Sequence, residues 1–358
     1  MALSVALPHC SPAEGTGGSG GSPSQTGGAP SSGGAATGGL PGSGGSNQTG
    51  SGGLAQAGGS LGSGGAPSGG TGTGGGAPSG GSGTGGGSGG GAPVVCPTPT
   101  LAAGNSTKTV TVGAGERTYV LHVPASYDGT TAAPLILDFH GLTGSGQAES
   151  TSSPYPAVTD AEGVVMAFPT GEAGPSGNAW NVGPCCVAGV DDVAFARALV
   201  EQVQEVACID PKRIYAVGFS MGGGMSHYLA CHAADLFAAV APAAFDLLEE
   251  NVETCEPVRP ITVVSFRGTT DPVVPYEGEY SDLVPGMAIT FLGAVATKDH
   301  WAELNECTGA AADVGDGCSA YSTCAGGVSV TLCTKQNGGH EAGDASIAWP
   351  ILKQQVLP

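Results

Sequence analysis

The sequence predicts an α/β domain whose mostly parallel sheet is covered by helices on both faces, preceded by a long Gly/Ser-rich tether. Three observations predict it. Between Gly15 and Thr107 there is no charged residue, and the first aromatic of the chain is Tyr119. Beyond that stretch, short apolar runs alternate with helical patterns, the arrangement that builds a parallel sheet buried on both faces. One strand-to-helix junction carries Gly218-Phe219-Ser220-Met221-Gly222.

Composition divides the 358 residues into three parts. Residues 15–93 are built from Gly, Ser, Ala, Thr and Pro and lack the apolar surface needed to offset their ordering entropy. They are expected to form a flexible coil, with a root-mean-square length of roughly 45–55 Å for about 80 residues. Residues 94–358 have the ordinary size of one α/β domain. Residues 1–14 hold a short apolar run, Ala2 to Leu7, and then Cys10. That order resembles the end of a bacterial lipoprotein signal, in which the cysteine is acylated, although the run is short for a complete signal peptide. A remnant of such a signal is expected here, with a lipid anchor at Cys10 and simple secretion as the two outcomes. No other stretch approaches membrane-spanning length.

Within the folded part, Thr107 to Val112 and Arg117 to Val123 read as two β-rich runs joined by Gly113-Ala114-Gly115. Leu135 to Phe139, Val164 to Phe168, Arg213 to Phe219, Ala238 to Pro242, Ile261 to Phe266 and Val328 to Leu332 are short apolar runs suited to buried parallel strands. Val190 to Val206 carries Val193, Leu199, Val200 and Val203 in helical register. Met221 to Cys231, Phe291 to Leu304 and Ala345 to Leu352 are the other expected helices.

The formal net charge is −20, with only 10 basic residues and no run among them. Phosphate binding needs clustered Lys and Arg, so nucleic acid is excluded as a partner. The acidity is read as a solubility feature. Of 11 cysteines, all but Cys10 lie in the folded part: Cys96, Cys185, Cys186, Cys208, Cys231, Cys255, Cys307, Cys318, Cys324 and Cys333. An even set of this size points to disulfides and an oxidising compartment. Repeated cysteine or histidine pairs at zinc-ligand spacing are not present, so no metal is expected.

The Ser220 segment follows a strand and opens a helix rich in small residues, as a nucleophile elbow requires. The glycines leave room for the tight turn, and the helix end with the Met221 amide is placed to hold an oxyanion. A dinucleotide-binding turn would need G-x-G-x-x-G and a later acid, and this segment has neither. Two leading strands and such an elbow fit an α/β-hydrolase fold, in which the order is Ser, acid, His. His340, in the loop Asn337-Gly338-Gly339-His340 beyond a strand end, is the expected base. His227 and His232 lie along the helix after the elbow, and His300 sits inside another beside Trp301. Asp271, directly after Ile261 to Phe266, is the expected acid, with Asp246 after the preceding strand as its rival. Asp191 and Asp192 stand at a helix start and are expected to serve its N-terminal amides. The second oxyanion amide is expected from Leu142, after His140-Gly141, with His140 holding that loop.

Several of these segments together resemble one family. They are Arg117-Thr118-Tyr119 leading to Val123-Pro124, His140-Gly141, Trp180-Asn181 with Cys185-Cys186, and Val190-Asp191-Asp192-Val193. Gly218 to Gly223, Leu229-Ala230-Cys231, Gly268 to Val274 and Gly338-Gly339-His340 complete the set. The chain from about Val94 onward resembles the feruloyl esterase and polyhydroxybutyrate depolymerase group of carbohydrate esterase family 1. The resemblance implies a triad of Ser220, Asp271 and His340 and a need for disulfides; the chain is expected to be a monomeric extracellular or cell-surface esterase without cofactor. Its implied substrates are polymeric: feruloyl esters of plant cell-wall polysaccharide first, polyhydroxyalkanoate esters second, acetylated xylan third. A surface binding protein with an idle triad is the non-enzymatic alternative.

Overall fold

The computed structural model describes residues 94–98, 100–282, 284 and 286–358. The expected N-terminal remnant with Cys10, and the tether, lie outside the described residues. One ten-stranded sheet organises the chain. Its strands are β1 (Gly104–Val112), β2 (Gly115–Val123), β3 (Ala133–Phe139), β4 (Val165–Pro169) and β5 (Ile209–Phe219). They are followed by β6 (Ala239–Ala243), β7 (Thr262–Gly268), β8 (Ala312–Gly315), β9 (Cys318–Tyr321) and β10 (Val330–Lys335). The spatial order is β1-β2-β4-β3-β5-β6-β7-β10-β9-β8. From β4 to β10 the neighbours run parallel. The two flanks, β1-β2 against β4 and β8-β9 against β10, are antiparallel.

The parallel strands alternate their side chains between two cores, as a pleated strand must. On β3, Leu135 and Leu137 face one core and Ile136 the other; on β5, Ile214 and Ala216 oppose Tyr215 and Val217. Helices α2 (Asp192–Val206), α3 (Met221–His232) and α4 (Ala294–Leu304) cover the first face through Phe195, Leu199, Leu229 and Trp301. Helix α5 (Ala345–Leu352) covers the second through Trp349 and Leu352, with Trp349 edge-on to Tyr215.

Three local expectations shift. A first helix, α1 (Gly146–Ser152), was not legible because its sequence is polar; the Ser145 hydroxyl caps it by accepting from Ala148 N. Helix α4 starts at Ala294 rather than Phe291. Gly293 stands at φ 93 as its N-cap, while Phe291 bridges to Leu248. Of the acidic pair at the start of α2, only Asp191 caps, accepting from Ala194 N at 2.8 Å. Asp192 is instead drawn inward, 3.0 Å from the Arg117 guanidinium and accepting from Asn181 N at 2.7 Å.

The cysteines of the folded part pair as Cys96–Cys208, Cys185–Cys186, Cys231–Cys255, Cys307–Cys324 and Cys318–Cys333. Among the described residues no helix is long and apolar enough to cross a membrane.

Candidate active site

Strand β5 ends at Phe219 and α3 begins at Met221, leaving Ser220 alone in the turn at φ 54 and ψ −126. A non-glycine residue in that region is strained, and the surroundings must hold it. They do so by hydrogen bonds from Ser220 N to Ala243 O (2.9 Å) and from Gly224 N to Ser220 O (3.1 Å). The glycines around it are steric requirements. A Cβ on Gly222 would collide with the Phe139 carbonyl, and one on Gly223 would stand 2.5 Å from the Ala243 carbonyl. The motif is therefore glycine-rich because α3 packs its first turn directly on the ends of β3 and β6.

His340 and Asp271 arrive from loops after β10 and β7, neighbours in the sheet. His340 Nε2 lies 2.8 Å from Ser220 Oγ, and Nδ1 lies 2.8 Å from Asp271 Oδ2. A carboxylate only accepts, so Nδ1 carries the proton and the Nε2 lone pair faces the serine hydroxyl. The other carboxylate oxygen, Asp271 Oδ1, accepts from Val273 N (2.8 Å) and Val274 N (3.0 Å). Asp271 is buried, and the His340 ring packs on Phe219 at 4.9 Å between centroids. Behind the imidazole, the Glu341 side chain accepts from Gly339 N at 3.1 Å and pairs with Lys335, closing the loop.

The rival residues are occupied elsewhere. Asp246 is buried in an ion pair with Arg267. Burial pushes its carboxyl up to about 6, against the pull of Arg267. His227 accepts from Trp301 Nε1 at 3.1 Å, and burial pushes it down to about 3. His300 stands 4.0 Å from Glu303, one turn along the same helix. His140 is buried; its Nε2 accepts from Gly171 N (2.9 Å), so Nδ1 donates to Gly141 O (2.6 Å). Burial lowers its pKa, which favours this neutral, loop-holding form.

A small cavity of about 40 Å³ opens beside the serine. Leu142, Ser220 and Met221 all line it, so the two residues expected to supply oxyanion amides share the cavity with Ser220. Phe245, Val274, Met287 and Phe291 also line it, together with Cys185 and Cys186. Sequence reasoning did not find this lining. The segment from Val284 to Phe291 carries no catalytic motif, and the adjacency of two cysteines does not say what they face.

Fold and site together define an α/β-hydrolase domain carrying a serine–histidine–aspartate constellation. No family model matches the chain. Feruloyl esterase B of Piromyces equi is 47% identical over 247 residues, covering 68% of this chain and 46% of that protein. The protein named Probable feruloyl esterase C in Aspergillus oryzae is 33% identical over 169 residues, 46% of this chain and 58% of its own length. The chain thus spans about half the length of these curated relatives. Among solved structures, the acetyl xylan esterase from Aspergillus awamori superposes with a TM-score of 0.51 at 14% identity. It covers 69% of this chain and 98% of that one, a likeness of fold. The chain is an α/β-hydrolase-fold homologue of the feruloyl esterases.

Proposed function

We propose that this protein is an extracytoplasmic serine carboxylic-ester hydrolase acting on feruloyl esters of plant cell-wall polysaccharide. The observation that carries the reaction is the unbroken line of two 2.8 Å contacts from Ser220 through His340 to Asp271. Ser220 Oγ attacks the ester carbonyl as His340 Nε2 takes its proton. Asp271 keeps its negative charge and stabilises the imidazolium that forms. The amides of Met221 and Leu142 hold the tetrahedral oxyanion. Collapse expels the alcohol, which receives the proton from His340. Water then repeats the sequence on the acyl-enzyme and releases the acid.

The apolar lining of the cavity beside Ser220 supports an apolar acyl group, and the kinship with feruloyl esterase B supports a phenolic one. Five disulfides fit an oxidising compartment. Anchoring through an acylated Cys10, with residues 15–93 as tether to the domain from 94 onward, would hold the enzyme near insoluble substrate. Mass spectrometry of the mature N-terminus tests the anchor, and an unmodified Cys10 rules it out. Hydrolysis of methyl ferulate, nitrophenyl acetate and polyhydroxybutyrate granules, with Ser220→Ala as blank, tests the activity. Preference for the granules, or turnover undiminished in the blank, overturns the reading.

A further inference from the structure

One wall of the cavity beside Ser220 is covalently unusual. Cys185 and Cys186, adjacent in the chain, are bonded to each other, and both line the cavity with Ser220, Leu142 and Met221. Disulfides stabilise mainly by closing loops in the unfolded chain, and the effect grows with loop length. The other bridges span separations of 15 to 112 residues, whereas this one spans 1. Loop closure therefore accounts for the others and gives this bridge almost no stabilising role.

What surrounds the pair fixes it against the reacting atoms. Cys186 N donates to Trp180 O at 3.0 Å, and Val182 N donates to Cys185 O at 2.5 Å. Trp180 in turn donates from Nε1 to His140 O at 2.8 Å and from its backbone N to Met221 Sδ at 3.4 Å. Asn251 Nδ2 donates to Val182 O at 2.7 Å on the far side. The bridge is thus tied to the loop that carries Leu142 and to the first residue of α3. Cys185 and Cys186 are only 1% and 2% exposed, so the cavity is their route to a small molecule. Two bonded sulfurs offer no hydrogen-bond donor, and sulfur is polarizable and favours contact with aromatic rings. Two free thiols in the same place would bring two donors and an unlinked backbone.

We propose that the Cys185–Cys186 bridge is a specificity-determining wall of the acyl site, seating a planar, unsaturated acyl group beside Ser220. The proposal rests on the esterase reading above. Its test is the ratio of kcat/KM on methyl ferulate to kcat/KM on nitrophenyl acetate, in the full chain and in Cys185→Ala/Cys186→Ala. A fall of fivefold or more in that ratio is expected, and a smaller change overturns the proposal. A second measurement uses the unaltered protein, in case the double variant does not fold. The bridge is reduced with a trialkylphosphine, and the thiols of the peptide holding Cys185 and Cys186 are alkylated and counted by mass spectrometry. Saturating ferulic acid is expected to slow that reduction at least fivefold relative to acetate, and equal rates overturn the proposal. An unaltered chain inactive on both esters would instead overturn the esterase reading itself.

Discussion

Gly268 and Gly338 meet where the loops carrying Asp271 and His340 cross. Gly338 O accepts from both Thr270 N and Thr270 Oγ1 at 2.9 Å, and a Cβ on Gly268 would collide with the carbonyls of Gly338 and Gly339. Two further bonds run between the same loops, Thr269 N to Lys335 O (3.1 Å) and Asn337 N to Thr269 Oγ1 (2.9 Å). Asp271 and His340 are therefore held as one unit by backbone contact that only glycine permits. Gly268→Ala is expected to push the loops apart. A displacement on the order of 1 Å in such a constellation costs roughly 10²-fold in rate. Steady-state hydrolysis of methyl ferulate measures it, and a loss below threefold would contradict the packing argument.

Ser220→Ala removes the proposed nucleophile, and Asp271→Asn removes the carboxylate that accepts from His340 Nδ1. Each is expected to lower kcat on the order of 10⁴-fold. The double variant should be little worse than either single one, because the residues act as a unit. Additive losses in a two-by-two kinetic cycle would argue against a shared triad.

Asp246 and Arg267 form a buried pair beneath the acid loop, and Arg267 Nη2 donates to Val274 O at 2.6 Å. Asp246→Ala leaves the guanidinium buried without its partner, a loss of about 3–5 kcal/mol. Replacing both, as Asp246→Leu with Arg267→Met, is expected to recover much of that stability. Urea unfolding of the three proteins checks the order. A double variant no more stable than Asp246→Ala would refute it.

Glu149 shares a small cavity under Phe219 with the buried Asp138, whose Oδ2 accepts from Ser153 Oγ at 2.6 Å. Burial raises Glu149 to about 7, and burial, with Glu149 next, raises Asp138 well above the usual carboxylate range. A carboxyl raised in the folded state contributes stability that is full below its ordinary value and lost as pH rises through the folded one. For Glu149 that window runs from about 4.5 to about 7. Glu149→Gln is therefore expected to melt a few degrees above the native protein at pH 8 and to lose that advantage at pH 4. Parallel melting curves across the range would show that the group does not titrate in the window.

Much of the fold was legible because its signals are local. Apolar runs such as Leu135 to Phe139 lie within the strands that form, and Ala345 to Leu352 coincides with α5. The polar α1 and the short, exposed β8 carry no such periodicity and surface only through capping and pairing.

The sequence by itself determined the elbow, because strand, turn and helix are consecutive residues marked by Gly218, Gly222, Gly223 and Gly224. The clashes that Gly222 and Gly223 avoid, with Phe139 and Ala243, appear only in the tertiary structure. The sequence also determined the order of serine, acid and histidine along the chain. It ranked Asp271 above Asp246, and the tertiary structure gave the reason: Asp271 meets His340 while Asp246 meets Arg267. The tertiary structure alone chose the disulfide partners and brought Cys185, Cys186 and Phe291 around one cavity. Most of those relations join segments far apart in sequence, and their energies depend on burial and distance that no local pattern encodes.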